Sequence, residues 1–236
     1  MTLPLLILLF LVLPLAAGAW VRFKTANTAM IKLLLAFSGA FLLGVTVLHM
    51  LPELYGSGDP QLGVWILLGF MLQVVLEFFS RGIEHGHVHI HGVQRANALP
   101  TATLASLFVH SFVEGMPFAD PRVSGDAAFV AGVLMHKLPM AIALASILHQ
   151  AGSGKARSWA TLAAFAASAP LGILFASAFG DRFGEGFLVA ALAVAIGMLL
   201  HISTTIIFES TPDHRFNSRR FLTVLGGVVL AYIVSH

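Results

Sequence analysis

The chain has 236 residues, of which 58% are hydrophobic and only 10% are charged, and it contains no cysteine. Because soluble domains carry roughly 25% charged residues, a water-soluble fold of this size could not cover its surface with so few. The net charge of +2 is small and no soluble domain is present to bind nucleic acid, while the missing cysteines exclude disulfides and thiolate ligands. Lipid tails accept apolar side chains directly, so the composition predicts an integral membrane protein.

Eight apolar stretches approach the roughly 20 residues that a membrane-spanning helix needs. They lie near residues 3–21, 33–52, 61–80, 99–118, 127–149, 158–179, 186–208 and 220–235. No linker is long enough for a second domain, so the sequence predicts one all-α transmembrane domain over residues 1–236. The first stretch could also be a cleaved signal peptide, although its apolar run is long and no basic residue precedes it.

Lysine and arginine residues alternate between the loops that follow successive spans. The odd-numbered loops hold ten of them, the even-numbered loops hold only Arg122 and Arg182, and Lys137 lies within a span. By the positive-inside rule the odd-numbered loops are cytoplasmic and both termini lie outside. The expected location of this multi-pass protein is a bacterial inner (plasma) membrane.

The fourth span carries a polar face. Thr103, Ser106, His110 and Glu114 recur at helical spacing, and Ser111 lies beside them. Ionisable residues within a span are energetically costly, which makes them candidates for function.

The fifth span places a second histidine at the same depth. His110 and His136 each lie 13 residues from Val123, in the middle of the short connection between the two spans. Two imidazoles and the Glu114 carboxylate that converge at one depth predict a divalent-metal site. The plainer alternative is that these residues are packed and hydrogen-bonded, with Glu114 paired to Lys137.

Two further groups of polar residues lie near the ends of spans. His49 and Glu53 are one turn apart at the outer end of span two, and His201, Thr205 and Glu209 run along span seven. These residues are candidates for relays that pass an ion to and from the centre. The alternative is that polar side chains at span ends simply reach towards water.

Several motifs resemble the ZIP (Zrt/Irt-like) family of divalent-metal transporters, and the resemblance covers nearly the whole chain. The motifs are His110-Ser111-x-x-Glu114-Gly115, His136-x-x-Pro139, His49-Met50-Leu51-Pro52-Glu53 and Ala169-Pro170-Leu171-Gly172. The His-rich loop at about 81–98, with His85, His87, His89 and His91, also matches.

The resemblance implies a bundle of inverted 3+2+3 helix repeats and movement of Zn²⁺, or of Cd²⁺ or Fe²⁺, towards the cytoplasm. It also implies that the protein is not an enzyme and has no prosthetic group. The expected partners are the metal ion and the lipid bilayer, and a homodimer is left open. The implied ligand positions are His110, Ser111, Glu114, His136, Lys137 and Met140.

Two of these positions depart from the family pattern. Lys137 and Met140 stand where the family usually has carboxylates, and the acidic position of span six falls near Ala167 and Ser168. Because Glu114 is then the only acid in the two central motifs, the sequence predicts a one-metal site. The Lys137 ammonium would replace the second ion and pair with Glu114, whereas a deprotonated Lys137 amine would be a further ligand.

Two other functions compete with transport. A membrane metalloenzyme would use a metal-bound water, but the sequence has no HExxH motif and no second carboxylate near Glu114. A metal sensor that no longer transports is the third alternative.

The His-rich loop is expected to be auxiliary, because its histidines lie outside the spans on a segment whose sequence shows no sign of a fixed scaffold. Replacing His85, His87, His89 and His91 together by Ser should leave the maximal metal flux into proteoliposomes within a few-fold of the unmodified protein. Complete loss of flux would place the loop in the main pathway.

Overall fold

A computed structural model describes residues 2–23, 27–56, 58–80, 82–83, 101–184, 186–209 and 217–235. Within these ranges every regular element is helical, as the sequence predicts. The long helices are α1 Leu3–Phe23, α2 Thr28–Tyr55, α3 Leu62–Ser80, α4 Thr101–Gly115, α5 Ala127–Gln150, α6 Lys155–Phe179, α7 Phe187–Glu209 and α8 Ser218–Ser235. His85, His87, His89 and His91 lie outside the described residues.

Seven of the described helices are long and apolar enough to cross a membrane, and α4 is the exception. Its 15 described residues span about 22 Å, against the roughly 30 Å of a bilayer core, and residues 84–100 before it lie outside the described part of the chain. A tight turn at Met116–Ala119 and a short helix at Pro121–Gly125 connect α4 to α5. The chain is therefore a multi-pass helical membrane protein, while the eighth span and the inverted repeat stay predictions.

Helix α2 is continuous but not regular. A π turn at Thr46–Met50 interrupts its α-helical hydrogen bonding, and the Leu51 amide donates to the Thr46 carbonyl. Pro52 follows at once and has no N–H group to continue the ordinary ladder. Such π turns inside helices are frequent at functional sites.

Two apolar clusters fill the interior, one towards each end of the bundle. We call the end that joins α2 to α3 the outer end, and the end that joins α1 to α2, on the Lys- and Arg-rich side, the inner end. The outer apolar cluster includes Leu6, Phe10, Phe41, Phe118, Phe129, Val133 and Leu199. The inner apolar cluster includes Leu35, Leu107, Met140, Leu144, Leu162, Phe165 and Ile206. Along α4 and α5, the stretch between the two clusters is where the polar residues lie.

Close packing against α6 holds α4 in place. A Cβ added at Gly172 would collide with the Phe112 carbonyl oxygen, and one added at Gly115 would collide with the Ala169 carbonyl oxygen. Glycines let helix backbones approach in this way, which is typical of membrane helix pairs. The packing fixes the position of the helix that carries His110 and Glu114.

Gly172→Ala should therefore destabilise the protein, because the new methyl group has to push α4 away from α6. Gly226→Ala is a matched control, since its Cβ would meet only a Phe37 ring atom at 3.8 Å. Alanine is intrinsically better in a helix than glycine by about 1 kcal/mol, so the control should melt at the same temperature or higher. Melting temperatures in detergent test the pair, and equal values would contradict the packing argument.

Candidate metal site

Six buried polar side chains meet between the outer and inner apolar clusters. They are Gln73 from α3, His110, Ser111 and Glu114 from α4, and His136 and Lys137 from α5, each at most 2% exposed. His110 and Glu114 share one face of α4 because they are four residues apart. The structure thus places five of the predicted site residues in one buried stretch and adds Gln73, but the metal-binding atoms of His110, Glu114 and His136 do not all lie within 4.8 Å of one another.

A buried ion pair links α4 to α5. The Lys137 Nζ donates to the Glu114 Oε2 at 2.9 Å and to the Ser111 Oγ at 2.6 Å. The same Nζ lies 5.4 Å from the ring centre of Phe10 and 5.2 Å from that of Phe165. A buried ammonium is costly without partners, and here two polar groups and two aromatic faces surround it.

The pair engages only one of the two oxygens of Glu114. The other oxygen, Oε1, is buried and accepts no hydrogen bond in the structure. A buried carboxylate oxygen without a donor is unusual, because leaving such a group unsatisfied is energetically unfavourable. An oxygen of this kind is suited to bind a cation.

The two histidines lie side by side, with ring centres 6.3 Å apart and ring planes at 86°. Two imidazoles that share one tetrahedral Zn²⁺, with each nitrogen about 2.1 Å from the metal, have ring centres roughly 5.3 Å apart. The observed separation of His110 and His136 is about 1 Å longer. The two rings would therefore have to approach each other by about 1 Å to share one divalent ion.

Gln73 fixes the orientation of His110. Its side-chain carbonyl Oε1 lies 3.0 Å from the Nδ1 of His110. Because a carbonyl oxygen can only accept, the hydrogen is on Nδ1, and the Nε2 of the neutral ring carries the lone pair that a metal needs. Outer partners of this kind are general in metal sites.

Sequence reasoning missed Gln73, although a signal was present. It is an amide in the apolar span three, on the buried face of α3 with Gly69, Leu76 and Ser80. An uncharged residue in one span gives no hint of its partner 37 positions away, so only the packing of α3 against α4 reveals the contact.

Met140 and Ser168 complete the set of expected positions. Met140 is 2% exposed, lies one turn beyond His136 on α5, and packs in the inner apolar cluster. Ser168 is buried on α6, but its hydroxyl donates to the Ala164 carbonyl oxygen of its own helix. At this level the hydroxyl group that α6 offers is therefore already hydrogen-bonded within its own helix. The ligand role of Met140 stays a prediction.

The predicted relay residues have partners that the sequence did not indicate. At the outer end the His49 Nε2 lies 2.6 Å from the Asp126 Oδ2, and Glu53 is close to both. On the inner side the His201 Nε2 pairs with Glu77, one turn along α3 from Gln73. The side chain of Glu209 lies outside the described residues.

One family model and two curated proteins are similar in sequence to this chain. A family model described as ZIP zinc transporter matches residues 93–235, which is more than half of the chain. Zinc transporter zipt-7.1 of Caenorhabditis briggsae is 22% identical over 89% of this chain and 72% of its own length. Zinc transporter ZIP13 of Pongo abelii is 30% identical over 60% of this chain and 46% of its own length.

Gln73→Leu should weaken metal binding at the buried centre by about 10–100-fold, because His110 loses the acceptor that fixes its tautomer. Gln73→Glu keeps an acceptor at the same place and should restore most of the affinity. Gln150→Leu, at the exposed end of α5, is the control for adding an apolar side chain. Titration of purified protein with Zn²⁺ measures all three, and unchanged affinity in Gln73→Leu would contradict the positioning role.

Proposed function

The chain belongs to the ZIP zinc transporter family, and from that premise we propose that it moves Zn²⁺ or a similar divalent cation towards its inner end. Family membership supports a divalent-metal transporter as the general function, and the curated relatives named above are zinc transporters. The finer proposal is that the ion is held by His110, His136 and the Glu114 Oε1 between α4 and α5, with Met140 and Ser111 as further contacts.

One observation supports this site most directly: the imidazoles of His110 and His136 are adjacent, and Glu114, one turn from His110 on α4, has a buried carboxylate oxygen without a hydrogen bond. Nitrogen and oxygen donors of these types suit Zn²⁺, and the Met140 thioether would favour softer ions such as Cd²⁺. Because apolar clusters lie on both sides of the centre, an ion bound there would be shielded from water at both ends. Transport then requires each cluster to open in turn.

The inner route would follow α3. Gln73 contacts His110 at the centre, and Glu77, one turn further along, pairs with His201 on α7. Glu77 and His201 could accept the ion as it leaves His110. His201 would then be the relay residue, and Glu209 would follow it towards the inner end. At the outer end His49 and Glu53 are the corresponding candidates.

The charges at the centre favour a single ion. The carboxylate of Glu114 and the ammonium of Lys137 cancel, and the neutral imidazoles add no charge, so one bound dication leaves a net charge of +2. A second dication would raise this to +4 in a buried site where charges interact strongly. The Lys137 Nζ also occupies the region between Ser111 and the Glu114 Oε2 where a second ion would need its ligands.

Reconstituted protein should carry Zn²⁺, Cd²⁺ or Fe²⁺ into vesicles down a concentration gradient. His110→Ala and His136→Ala should each abolish this flux while the protein remains folded in detergent, because each removes an imidazole ligand. His149→Ala, at the exposed end of α5, is the matched control and should transport normally. Metal binding without flux for any of the three ions would instead support a sensor, and turnover of a membrane substrate would support an enzyme.

Lys137→Glu should increase the number of metal ions bound per chain, or their affinity. The substitution removes one positive charge and adds one negative charge beside Glu114, a change of two units. Lys137→Gln removes the ammonium without adding an acid, so it should fall between the parent and Lys137→Glu. Elemental analysis and Zn²⁺ titration compare the three proteins, and a parent with two bound ions that His110→Ala removes together would refute the one-metal proposal.

A further inference from the structure

The outer end of the bundle holds a second group of metal-binding side chains, separate from the buried centre. His49 and Glu53 come from α2, and Asp126 immediately precedes α5. Each offers one ligand atom, and these three atoms lie within 4.8 Å of one another. The three residues combine an imidazole with two carboxylates, a ligand set that suits Zn²⁺ and related ions.

The backbone holds two of the three ligands in fixed positions. His49 lies within the π turn of α2, which shifts the register of the side chains that follow. The Asp126 Oδ1 accepts from the Phe129 amide at 2.9 Å and so caps the start of α5. The cap leaves Oδ2 to face His49, at 2.6 Å from its Nε2.

The third ligand, Glu53, is exposed, so side-chain rotation could bring it to an ion. His49 and Asp126, by contrast, are half-buried. Ligand atoms around a tetrahedral Zn²⁺ lie about 3.4 Å apart, so side-chain movements of roughly 1 Å would convert the observed spacing into a coordinating one. A cavity of about 130 Å³ beside Glu53 and Asp126 gives an ion and its water molecules room to enter.

A nearby arginine is bound mainly to a residue outside the group, although its charge also interacts with Glu53. Arg122 lines the same cavity, but its guanidinium is bonded to Asp120, with Nη2 at 2.8 Å from Oδ2 and Nε at 3.3 Å from Oδ1. These hydrogen bonds hold the pKa of Asp120 below its usual range, although burial acts in the opposite direction. Asp120 therefore stays ionised and keeps the guanidinium engaged at neutral pH.

From this geometry we propose that His49, Glu53 and Asp126 form a second divalent-cation site at the outer end, which captures the ion before it reaches the buried centre. The capture role rests on the proposed transport function, but the binding itself does not. Because Asp126 also precedes α5, the helix of His136 and Lys137, a bound ion would connect α2 directly to the central helix.

The test measures Zn²⁺ binding in full-length protein whose buried centre and His-rich loop are disabled. The background variant carries His110→Ala and His136→Ala at the centre and Ser at His85, His87, His89 and His91. It should still bind one Zn²⁺ per chain. Adding Asp126→Asn, which keeps the helix cap but removes the charge, should weaken that binding at least about tenfold.

Two further variants make the result decisive. Glu53→Gln changes an exposed side chain, so it should weaken binding without affecting the fold. Asp59→Asn is the matched control: its Oδ1 also accepts from a backbone amide, of Gln61 at 2.8 Å, and it makes the same change of charge outside the group. It should leave the affinity unchanged.

The outcomes separate this proposal from the transport proposal. No Zn²⁺ binding by the background variant, or equal affinities in Asp126→Asn, Glu53→Gln and Asp59→Asn, would overturn the outer site. Binding as expected in a protein that transports no ion would retain the outer site and reject transport. If both hold, Asp126→Asn in the otherwise unmodified chain should raise the KM for Zn²⁺ flux more than it lowers the maximal rate.

Discussion

The centre of the bundle depends on one interaction, the ion pair between Lys137 and Glu114. Both side chains are almost fully buried, at 1% and 2% exposure, so neither charge can be stabilised by water. Removing one partner of such a pair leaves a buried charge without compensation, which typically costs about 3–5 kcal/mol. The pair therefore requires α4 and α5 to stay in register, and the glycine contacts between α4 and α6 hold α4 where this register is possible.

The position of the pair also determines which atoms remain for a metal. Lys137 takes one oxygen of Glu114 and the hydroxyl of Ser111, so two of the expected ligand groups already serve an internal cation. The second Glu114 oxygen and the two adjacent imidazoles remain, and Gln73 contacts His110 from α3. The helices α3, α4 and α5 thus all contribute to the centre, which offers a metal one carboxylate oxygen and two imidazole nitrogens.

Sequence reasoning recovered the features that are local or follow from charge. Helical spacing predicted that His110 and Glu114 share one face of α4. Their equal distance in sequence from Val123 predicted that His110 and His136 lie close together. The energetic cost of a lone ammonium predicted that Lys137 pairs with Glu114. Sequence reasoning missed Gln73, Asp126 and Glu77, because each contacts a residue more than 35 positions away through helix packing. It also missed the π turn at His49, since apolar patterning does not report hydrogen-bond register.

Lys137 changes the electrostatics of the centre when no metal is bound. A buried site lined by several carboxylates has a large negative charge without its metal, and that charge is unfavourable in a low-dielectric interior. In this chain the single carboxylate is matched by an ammonium on the neighbouring helix, so the centre without metal carries no net charge. The outer and inner apolar clusters can then close around it without trapping an uncompensated anion. In the proposed transport cycle, such a neutral centre would let the protein return without its ion, and Lys137 would supply the positive charge that a second ion would otherwise provide.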